Sequence, residues 1–229
     1  MENKMKKQYL IIDFDSTFIT KEGLDVLAEV ALMDFPDKKV QAVRLEQIKA
    51  LTHQGMEGKL SLSDSLAKRL NLLTAQQKHI PQAVAFLQQH ITPSFLRNKT
   101  FFTENYENIF IISGGFKELI VPVVALLGIP ANKVFANTLV LDANENIVGA
   151  DIENPLSRNG GKAQVVQALG LEGEFIILGD GMTDLEIRDA IPGSTFVAFT
   201  ENVARDAVMQ RADVVVNSFD VFLQGKHFV

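Results

Sequence analysis

The sequence predicts an α/β fold in which a doubly wound, Rossmann-like parallel sheet carries a small helical cap inserted after its first strand. Short apolar runs rich in β-branched residues alternate with stretches of helical periodicity, as in doubly wound sheets. One long region, residues 20–89, interrupts this alternation and has few strand signals. With 229 residues, 47% of them hydrophobic, the chain can bury a sizeable core.

Five apolar runs are predicted to be strands of the sheet. They are short and do not alternate with polar residues, which is typical of parallel strands buried on both faces. The runs cover residues 9–14, 109–112, 175–178, 195–199 and 214–216. We also expect a β-hairpin in which residues 134–141 and 146–152 flank a turn at 142–145.

Helices are predicted between the strands, because apolar residues there recur at helical spacing. They cover residues 116–127, 162–169, 184–190 and 202–212. Pro122 weakens the first of them, since proline inside a helix removes a hydrogen bond.

A helical cap is expected in the region that interrupts the alternation. Apolar residues recur there at helical spacing in two stretches, which begin at Leu24 and Leu62. We therefore expect a helical cap domain at residues 19–89 and a Rossmann-like core domain formed by residues 1–18 and 90–229.

Charge and cysteine content exclude several classes of protein. The 22 basic and 28 acidic residues give a net charge of −6, which argues against nucleic acid or a membrane as partner. The absence of cysteine excludes a disulfide scaffold, a thiolate zinc site and a cysteine nucleophile. The apolar run behind the basic start is too short for a signal peptide, and no run reaches the length of a membrane span. We expect a cytoplasmic protein, and its oligomeric state is left open.

Two carboxylates follow the first predicted strand. Asp13 lies at the strand end and Asp15 in the loop behind it, at the edge of the sheet where open α/β folds bind ligands. Carboxylates this close repel each other, and a hard divalent cation such as Mg²⁺ would offset the repulsion. Taken alone, the pair fits an ordinary acidic turn equally well.

Two further strand ends decide between these interpretations. The second strand runs into Ser113 and Gly114, where a hydroxyl and backbone N–H groups at a helix start can bind an anion. The third strand runs into Asp180 and Asp184, and Lys162 opens the helix before it. Each feature alone has an ordinary structural explanation, but together they indicate phosphoryl transfer with a divalent cation.

In this order and spacing, the motifs resemble the haloacid dehalogenase superfamily of phosphatases over nearly the whole chain. Its Asp-x-Asp-x-Thr motif corresponds to residues 13–17 and its Gly-Asp-x-x-x-Asp motif to residues 179–184. Ser113 and Lys162 match the hydroxyl and the lysine of the other two motifs.

The resemblance implies a role for each matched residue. Asp13 is the expected nucleophile, which forms an aspartyl phosphate, and Asp15 is the expected general acid and base. Lys162, Ser113 and the N–H of Gly114 would bind the phosphoryl oxygens. The expected cofactor, Mg²⁺, would be held by these oxygen ligands: Asp13, Asp180, the backbone carbonyl of Asp15 and, through a water, Asp184.

Within the superfamily, the chain resembles the phosphoserine phosphatase family. The fragments that carry this likeness include residues 22–28, 112–116, 134–137 and 179–184. The likeness implies that Glu22 pairs with the amine of the substrate and that Arg69 pairs with its carboxylate. Met56 and Thr183 are also expected to contact the substrate. The function implied is Mg²⁺-dependent hydrolysis of O-phospho-L-serine, a small phosphomonoester.

Three alternatives remain open at this point. One is a phosphatase of the same superfamily that acts on another small phosphomonoester, such as a phospho-amine or a sugar phosphate. Another is a receiver domain that stores a phosphoryl group, although such domains are shorter and have no helical cap. The third is a silent binding protein, against which the complete set of acids argues.

Overall fold

The computed structural model describes residues 7–225 and Phe228. Eight strands lie within this part of the chain: β1 (Gln8–Ile12), β2 (Ile109–Phe116), β3 (Val134–Asn137), β4 (Leu139–Leu141), β5 (Ile147–Ala150), β6 (Glu174–Gly179), β7 (Thr195–Phe199) and β8 (Val214–Val216). Eleven α-helices lie in the same residues: α1 (Gly23–Met33), α2 (Lys38–Met56), α3 (Leu62–Leu72), α4 (Ile80–Gln88), α5 (Pro93–Arg97), α6 (Lys99–Asn105), α7 (Lys117–Val124), α8 (Gly161–Ala168), α9 (Met182–Ala190), α10 (Asp206–Met209) and α11 (Phe219–Gln224).

Six of these strands form one parallel sheet in the order β3-β2-β1-β6-β7-β8. The chain builds outward from β1 on one side through β2 and β3, and then crosses to β6 on the other side. The order of strands therefore reverses beside β1, and open α/β sheets bind ligands at the carboxyl ends of strands at such a point. The predicted fold class is confirmed.

The sheet is buried on both faces, as the apolar runs predict. Alternate residues of β1 point to opposite faces, so Leu10 and Ile12 pack into one apolar cluster while Tyr9 and Ile11 pack into a second. Helices α7 and α11 cover the first face, together with α4 to α6. Helices α8, α9 and α10 cover the second face.

The predicted hairpin is wrong in its first arm. Residues 134–137 form β3, which joins the parallel sheet beside β2, and only β4 pairs with β5 in antiparallel fashion. The apolar run 134–141 is continuous in the sequence, but Val134 and Ala136 are buried whereas Val140 and Leu141 are exposed. Burial beside β2 thus assigns the first half of the run to the large sheet.

Two predicted helices differ from the structure in length. The helix predicted at 202–212 is largely wrong, since α10 covers only Asp206–Met209. The side chain of Asn202 donates instead to backbone carbonyls of Ser16, Thr17 and Ile19, which engages the start of this segment elsewhere. Helix α7 contains Pro122 and ends at Val124, and a 3₁₀ turn at Ala125–Leu127 continues it to the end of the predicted span.

The segment between β1 and α5 is helical, as expected, and its two ends lie side by side where they join the sheet. Ile19 pairs with Ile91 in an antiparallel bridge. The backbone N–H of Thr20 donates to His90 (2.9 Å), and that of Thr92 donates to Phe18 (3.0 Å). We call residues 18–20 and 90–92 the two linkers.

Helix α4 packs against both α1 and the core helix α7. The division into a cap at 19–89 and a core at 1–18 and 90–229 stays a prediction. The first six residues of that core, and residues 226, 227 and 229, lie outside the described residues. Among the described residues, no helix has both the length and the apolar character needed to cross a bilayer.

Candidate active site

The carboxyl ends of β1, β2 and β6 meet at one edge of the sheet, because parallel strands all point the same way. Asp13 directly follows β1, Ser113 and Gly114 lie near the carboxyl end of β2, and Asp180 directly follows β6. Between this edge and helices α1 to α3 lies a cleft. Most of the predicted site residues line it: Asp13, Asp15, Glu22, Met56, Arg69, Ser113, Gly114, Lys162 and Thr183.

A buried lysine bridges two carboxylates at the floor of the cleft. The ammonium group of Lys162 lies 2.9 Å from Asp13 Oδ1 and 2.7 Å from Asp184 Oδ1. Burial alone would lower the pKa of Lys162, but the two carboxylates outweigh it and raise that pKa. Lys162 is therefore a fixed positive charge beside Asp13.

Asp180 and Asp184 do not line the cleft but are buried beside Asp13. One carboxylate oxygen from each of these three residues lies within 4.8 Å of the others. Thr17 Oγ1 donates to Asp180 Oδ1 at 2.8 Å, and Arg205 forms an ion pair with the same carboxylate. Burial, reinforced by the charge of Asp13, raises the pKa of Asp184 to about 7.

This donor set fits a hard divalent cation. Three buried carboxylates face one another, while a cation with oxygen ligands would bind them all and remove their mutual repulsion. The contribution of the backbone carbonyl of Asp15 and the indirect contact of Asp184 stay predictions.

Asp15 lies between two glycines that leave room for its carboxyl group. The N–H of Gly23 donates to Asp15 Oδ1 at 2.7 Å. A Cβ atom on Gly23 or on Gly115 would lie 3.2 Å from a carboxylate oxygen of Asp15. Burial raises the pKa of Asp15 to about 7; the bond from Gly23 opposes the rise and the charge of Asp13 adds to it. Asp15 can therefore exchange a proton near neutral pH.

The end of β2 forms a turn whose polar groups are already ordered. The N–H of Gly115 donates to Ser113 Oγ at 3.0 Å, and Ser113 is buried. Asn137, from β3, donates to the carbonyl of Gly114 at 2.8 Å. This second bond holds the carbonyl of Gly114, on the peptide that follows the one whose N–H is predicted to bind phosphate.

Glu22 stands at the start of α1, on the wall of the cleft that the helical segment forms. Ser16 Oγ donates to Glu22 Oε1 at 2.6 Å. Burial, with the charge of Asp15, raises the pKa of Glu22 to about 8. Ser16 reaches Glu22 from a sharp backbone turn, where its φ angle is +55°.

Arg69, from α3, also lines the helical wall of the cleft. Its Nη1 donates to Thr52 Oγ1 at 3.1 Å and lies 4.0 Å from Asp25 Oδ1. Its Nε is buried and has no hydrogen-bond partner among the described residues. The site thus places a carboxyl group and a guanidinium group in the cleft that also contains Asp13 and Lys162.

Sequence reasoning missed the side chains that hold this site together. Thr17 was visible within the first motif, but nothing nearby in the sequence pairs it with Asp180. Asn202 donates from one amide nitrogen to the carbonyls of Ser16, Thr17 and Ile19, and lies 2.7 Å from Thr92 Oγ1. These partners lie far from Asn202 along the chain, so the local pattern gave no signal of the contact.

Comparison with known proteins points to the same family as the sequence motifs. The family model for haloacid dehalogenase-like hydrolases matches residues 10–187. Phosphoserine phosphatase of Drosophila melanogaster is 32% identical over 219 residues, covering 94% of this chain and 76% of that protein. Phosphoserine phosphatase of Homo sapiens is 30% identical over 210 residues, covering 90% of this chain and 88% of the human protein.

A solved structure shares the fold along its full length. The crystal structure of a phosphoserine phosphohydrolase-like protein from Francisella tularensis superposes with a TM-score of 0.84 at 26% identity. The match covers 96% of this chain and 100% of that one. The likeness therefore includes the helical segment as well as the sheet.

Proposed function

Since the chain belongs to the haloacid dehalogenase-like hydrolases and, within them, to the phosphoserine phosphatase family, we propose that it hydrolyses O-phospho-L-serine to serine and phosphate. One observation supports this substrate most directly. Glu22 and Arg69 line the same cleft as Asp13 and Lys162. A small molecule that carries a phosphate, an ammonium group and a carboxylate has a partner of opposite charge for each.

The cofactor we propose is Mg²⁺. Asp13, Asp180 and Asp184 are its candidate ligands, with the backbone carbonyl of Asp15 as a fourth donor. When bound, Mg²⁺ supplies positive charge that reduces the repulsion between the Asp13 carboxylate and the phosphate dianion. Small, hard Mg²⁺ prefers oxygen donors of this kind.

Asp13 attacks phosphorus in the first step. The bond between phosphorus and the serine oxygen breaks, and its electron pair leaves with that oxygen. Asp15 gives the departing oxygen a proton, for which a pKa of about 7 is suited. Serine is released, and the phosphoryl group stays on Asp13 as an acyl phosphate.

Water attacks this acyl phosphate in the second step. Asp15, now a carboxylate, takes one proton of the water as the water oxygen bonds to phosphorus. The bond between phosphorus and Asp13 breaks, which frees inorganic phosphate and restores both aspartates. Lys162, Ser113 and the N–H of Gly114 stabilise the negative charge on the phosphoryl oxygens throughout.

Glu22 and Arg69 select the substrate. The ammonium group of bound phosphoserine lowers the raised pKa of Glu22 and pairs with the ionised carboxylate. The guanidinium of Arg69 pairs with the carboxylate of the substrate. Met56 and Thr183 contact the bound molecule from the cleft wall. The expected partners stay limited to this small phosphomonoester, and a cytoplasmic location stays a prediction.

The experiment that tests the function measures phosphate release from O-phospho-L-serine with Mg²⁺ and with a chelator. An Asp13→Asn variant serves as control, and a panel of sugar phosphates and phospho-amines is measured beside it. We expect Mg²⁺-dependent activity that is highest on phosphoserine. Arg69→Ala should lower kcat/KM for phosphoserine by about 30-fold or more.

The outcomes separate the chemistry from the substrate. Activity on other phosphomonoesters but not on phosphoserine would keep the mechanism and reject the substrate. Unchanged phosphoserine kinetics in Arg69→Ala would also reject the substrate. No activity on any compound, with Mg²⁺ present and the protein folded, would favour a receiver-like or silent binding protein.

A further inference from the structure

Three side chains from three different helices form a hydrogen-bonded chain at the wall of the cleft, which two of them, Thr52 and Arg69, line. Asp25 comes from α1, Thr52 from α2 and Arg69 from α3. Thr52 Oγ1 donates to Asp25 Oδ1 at 2.7 Å and accepts from Arg69 Nη1 at 3.1 Å. Asp25 is only 8% exposed and Thr52 only 6%, so both act in a water-poor setting.

The threonine hydroxyl is orientated by the carboxylate. Its single proton has two acceptors within reach, Asp25 Oδ1 at 2.7 Å and the Ile48 carbonyl at 3.1 Å. The hydroxyl donates to Asp25, the charged and nearer acceptor, because hydrogen bonds to a charged group are stronger than those to a neutral carbonyl. The lone pairs of Thr52 Oγ1 then face Arg69, and the hydroxyl acts as an acceptor for the guanidinium.

The spacing of these groups leaves part of Arg69 free. Asp25 Oδ1 lies 4.0 Å from Arg69 Nη1, beyond hydrogen-bond distance, since the hydroxyl of Thr52 bridges the two groups. A direct fork-to-fork pair with Asp25 would occupy two donors of the guanidinium. Nε of Arg69 is buried without an acceptor among the described residues. A buried N–H without an acceptor is costly, so Arg69 is held ready for an acceptor that arrives with a ligand.

We propose that Thr52 and Asp25 are positioning residues that set the preference for phosphomonoesters carrying a carboxylate. They do so by fixing the guanidinium of Arg69 in the cleft without using up its donors. The inference rests on the proposed function, in which Arg69 binds the carboxylate of phosphoserine. Neither Thr52 nor Asp25 takes part in the transfer of the phosphoryl group.

The test compares two substrates that differ in the carboxylate. O-Phospho-L-serine carries it, whereas O-phosphoethanolamine has the same amine and phosphate without it. Thr52→Val removes the hydroxyl at nearly constant shape. We expect the ratio of kcat/KM for the two substrates to fall by about tenfold through KM for phosphoserine, as for one lost hydrogen bond to a charged group.

Inhibition by the two products gives a second reading of the same effect. L-Serine carries the carboxylate and inorganic phosphate does not. We expect the inhibition constant of L-serine to rise by about tenfold in Thr52→Val, and that of phosphate to change far less. This measurement decides the question even if phosphoethanolamine is turned over too slowly to compare.

Three further variants sharpen the result. Thr52→Ser restores the hydroxyl and should restore most of the selectivity. Asp25→Asn keeps an acceptor for Thr52 but removes the charge, and should lower the selectivity ratio less than Thr52→Val does. Thr103→Val, at an exposed position of α6, removes a hydroxyl that donates to the nearby carbonyl of Thr100 and should leave the ratio unchanged.

Two results would overturn the proposal while the proposed function stands. One is an unchanged selectivity ratio in Thr52→Val; the other is an equal loss on both substrates, which would show a purely structural role. If Thr52→Val does not fold, the same comparison is made with Asp25→Asn. Absence of phosphoserine hydrolysis in the native enzyme would instead reject the proposed function, and this inference with it.

Discussion

The ammonium group of Lys162 lies 2.9 Å from Oδ1 of Asp13, the carboxylate that we propose as nucleophile. A second carboxylate, Asp184, lies 2.7 Å from the same ammonium group. The three buried side chains therefore carry one positive and up to two negative charges. Any change to one of them alters the energy of the other two, which makes this cluster a sensitive place to test the site.

Lys162→Gln should destabilise the protein by about 3–5 kcal/mol, because it leaves two buried carboxylates without their cation. Because the pKa of Lys162 is raised, its stabilising contribution is complete at neutral pH and would be lost only in strong alkali. Urea unfolding without added metal measures the effect. The loss should shrink towards about pH 5, below the pKa of about 7 of Asp184, because that carboxyl group then takes up a proton.

A matched control for this prediction exists on the surface. The ammonium group of Lys78 lies 2.7 Å from Asp34 Oδ2, the same distance as between Lys162 and Asp184. The side chains of Lys78 and Asp34, however, are both more than half exposed. Lys78→Gln should cost no more than about 1 kcal/mol. Equal losses in the two variants would show that burial does not govern the Lys162 cluster.

Asp13→Asn should abolish turnover without unfolding the protein. An amide of the same shape cannot attack phosphorus, so we expect kcat to fall by at least about 10³-fold. Removal of the charge of Asp13 costs its ion pair with Lys162, but it also relieves the repulsion that raises the pKa of Asp184, which still pairs with Lys162. Urea unfolding should give a stability equal to the native value or higher by about 1 kcal/mol. A marked loss of stability in Asp13→Asn would contradict this prediction, because misfolding would then account for the lost activity.

Glu22→Gln should change the pH dependence of stability. The pKa of Glu22 is raised from an ordinary 4.5 to about 8. The folded state therefore binds this proton more tightly than the unfolded chain, and the resulting stability is complete below 4.5 and is lost as pH rises through 8. Glutamine resembles the protonated form and does not titrate.

Urea unfolding at two pH values tests the Glu22 prediction. At about pH 9 we expect the Glu22→Gln variant to be more stable than the native protein by at least about 1 kcal/mol, and at about pH 5 to match it. Glu186→Gln, at an exposed position of α9, serves as control. A native protein that stays as stable as Glu22→Gln at high pH would contradict the prediction.

Asn202→Ala should destabilise the loop that carries Asp15. The amide nitrogen of Asn202 lies within hydrogen-bond distance of acceptors in Ser16, Thr17, Ile19 and Thr92. Its loss removes a donor from this group of acceptors, of which the carbonyl of Thr17 keeps a bond from Thr92 Oγ1. We expect a loss of about 1–2 kcal/mol and a lower kcat. Asn202→Asp should be worse, because a carboxylate would face carbonyl oxygens.

Thermal unfolding and steady-state kinetics measure the Asn202 variants. Asn71→Asp introduces the same charge at an exposed position of α3 and controls for net charge. If Asn202→Asp were no less stable than Asn202→Ala, the prediction that Asn202 stabilises this loop through its bonds to backbone carbonyls would be wrong.

The sequence allowed the sheet, and the meeting of the candidate site residues at one edge of it, to be predicted because both follow local rules. A short apolar run with β-branched residues, such as 195–199, favours a buried strand whatever its neighbours in the sheet. The predicted bounds of this run agree with those of β7. Asp13, Lys162 and Asp180 each stand at the end of a strand or the start of a helix, where the strand order brings them together. The prediction of a single hairpin arm at 134–141 was wrong because the first half of this run is buried beside β2 and the second half is not. No local sequence pattern records which strand lies beside a run.

The supporting contacts of the site could not be predicted in the same way. Thr52 occupies an ordinary helical position in the sequence, and its partners Asp25 and Arg69 lie in two other helices. Asn202 reads as part of a helix, yet its side chain binds a loop near the start of the chain. Such contacts depend on how elements pack, so only the three-dimensional structure reveals them.

The pairing of Ile19 with Ile91 has a consequence for how this architecture can vary. Because the chain leaves the sheet and returns to it through adjacent strands, everything between them is topologically a single loop. Insertions at a point where the two ends already meet impose little strain on the rest of a domain. We therefore expect that the helices between the two linkers can be exchanged for another module while the phosphoryl-transfer chemistry at the sheet edge is retained. In the proposed function, Glu22 and Arg69, which select the substrate, lie between the two linkers, whereas Asp13, Asp15 and Lys162, which act on the phosphoryl group, lie outside them.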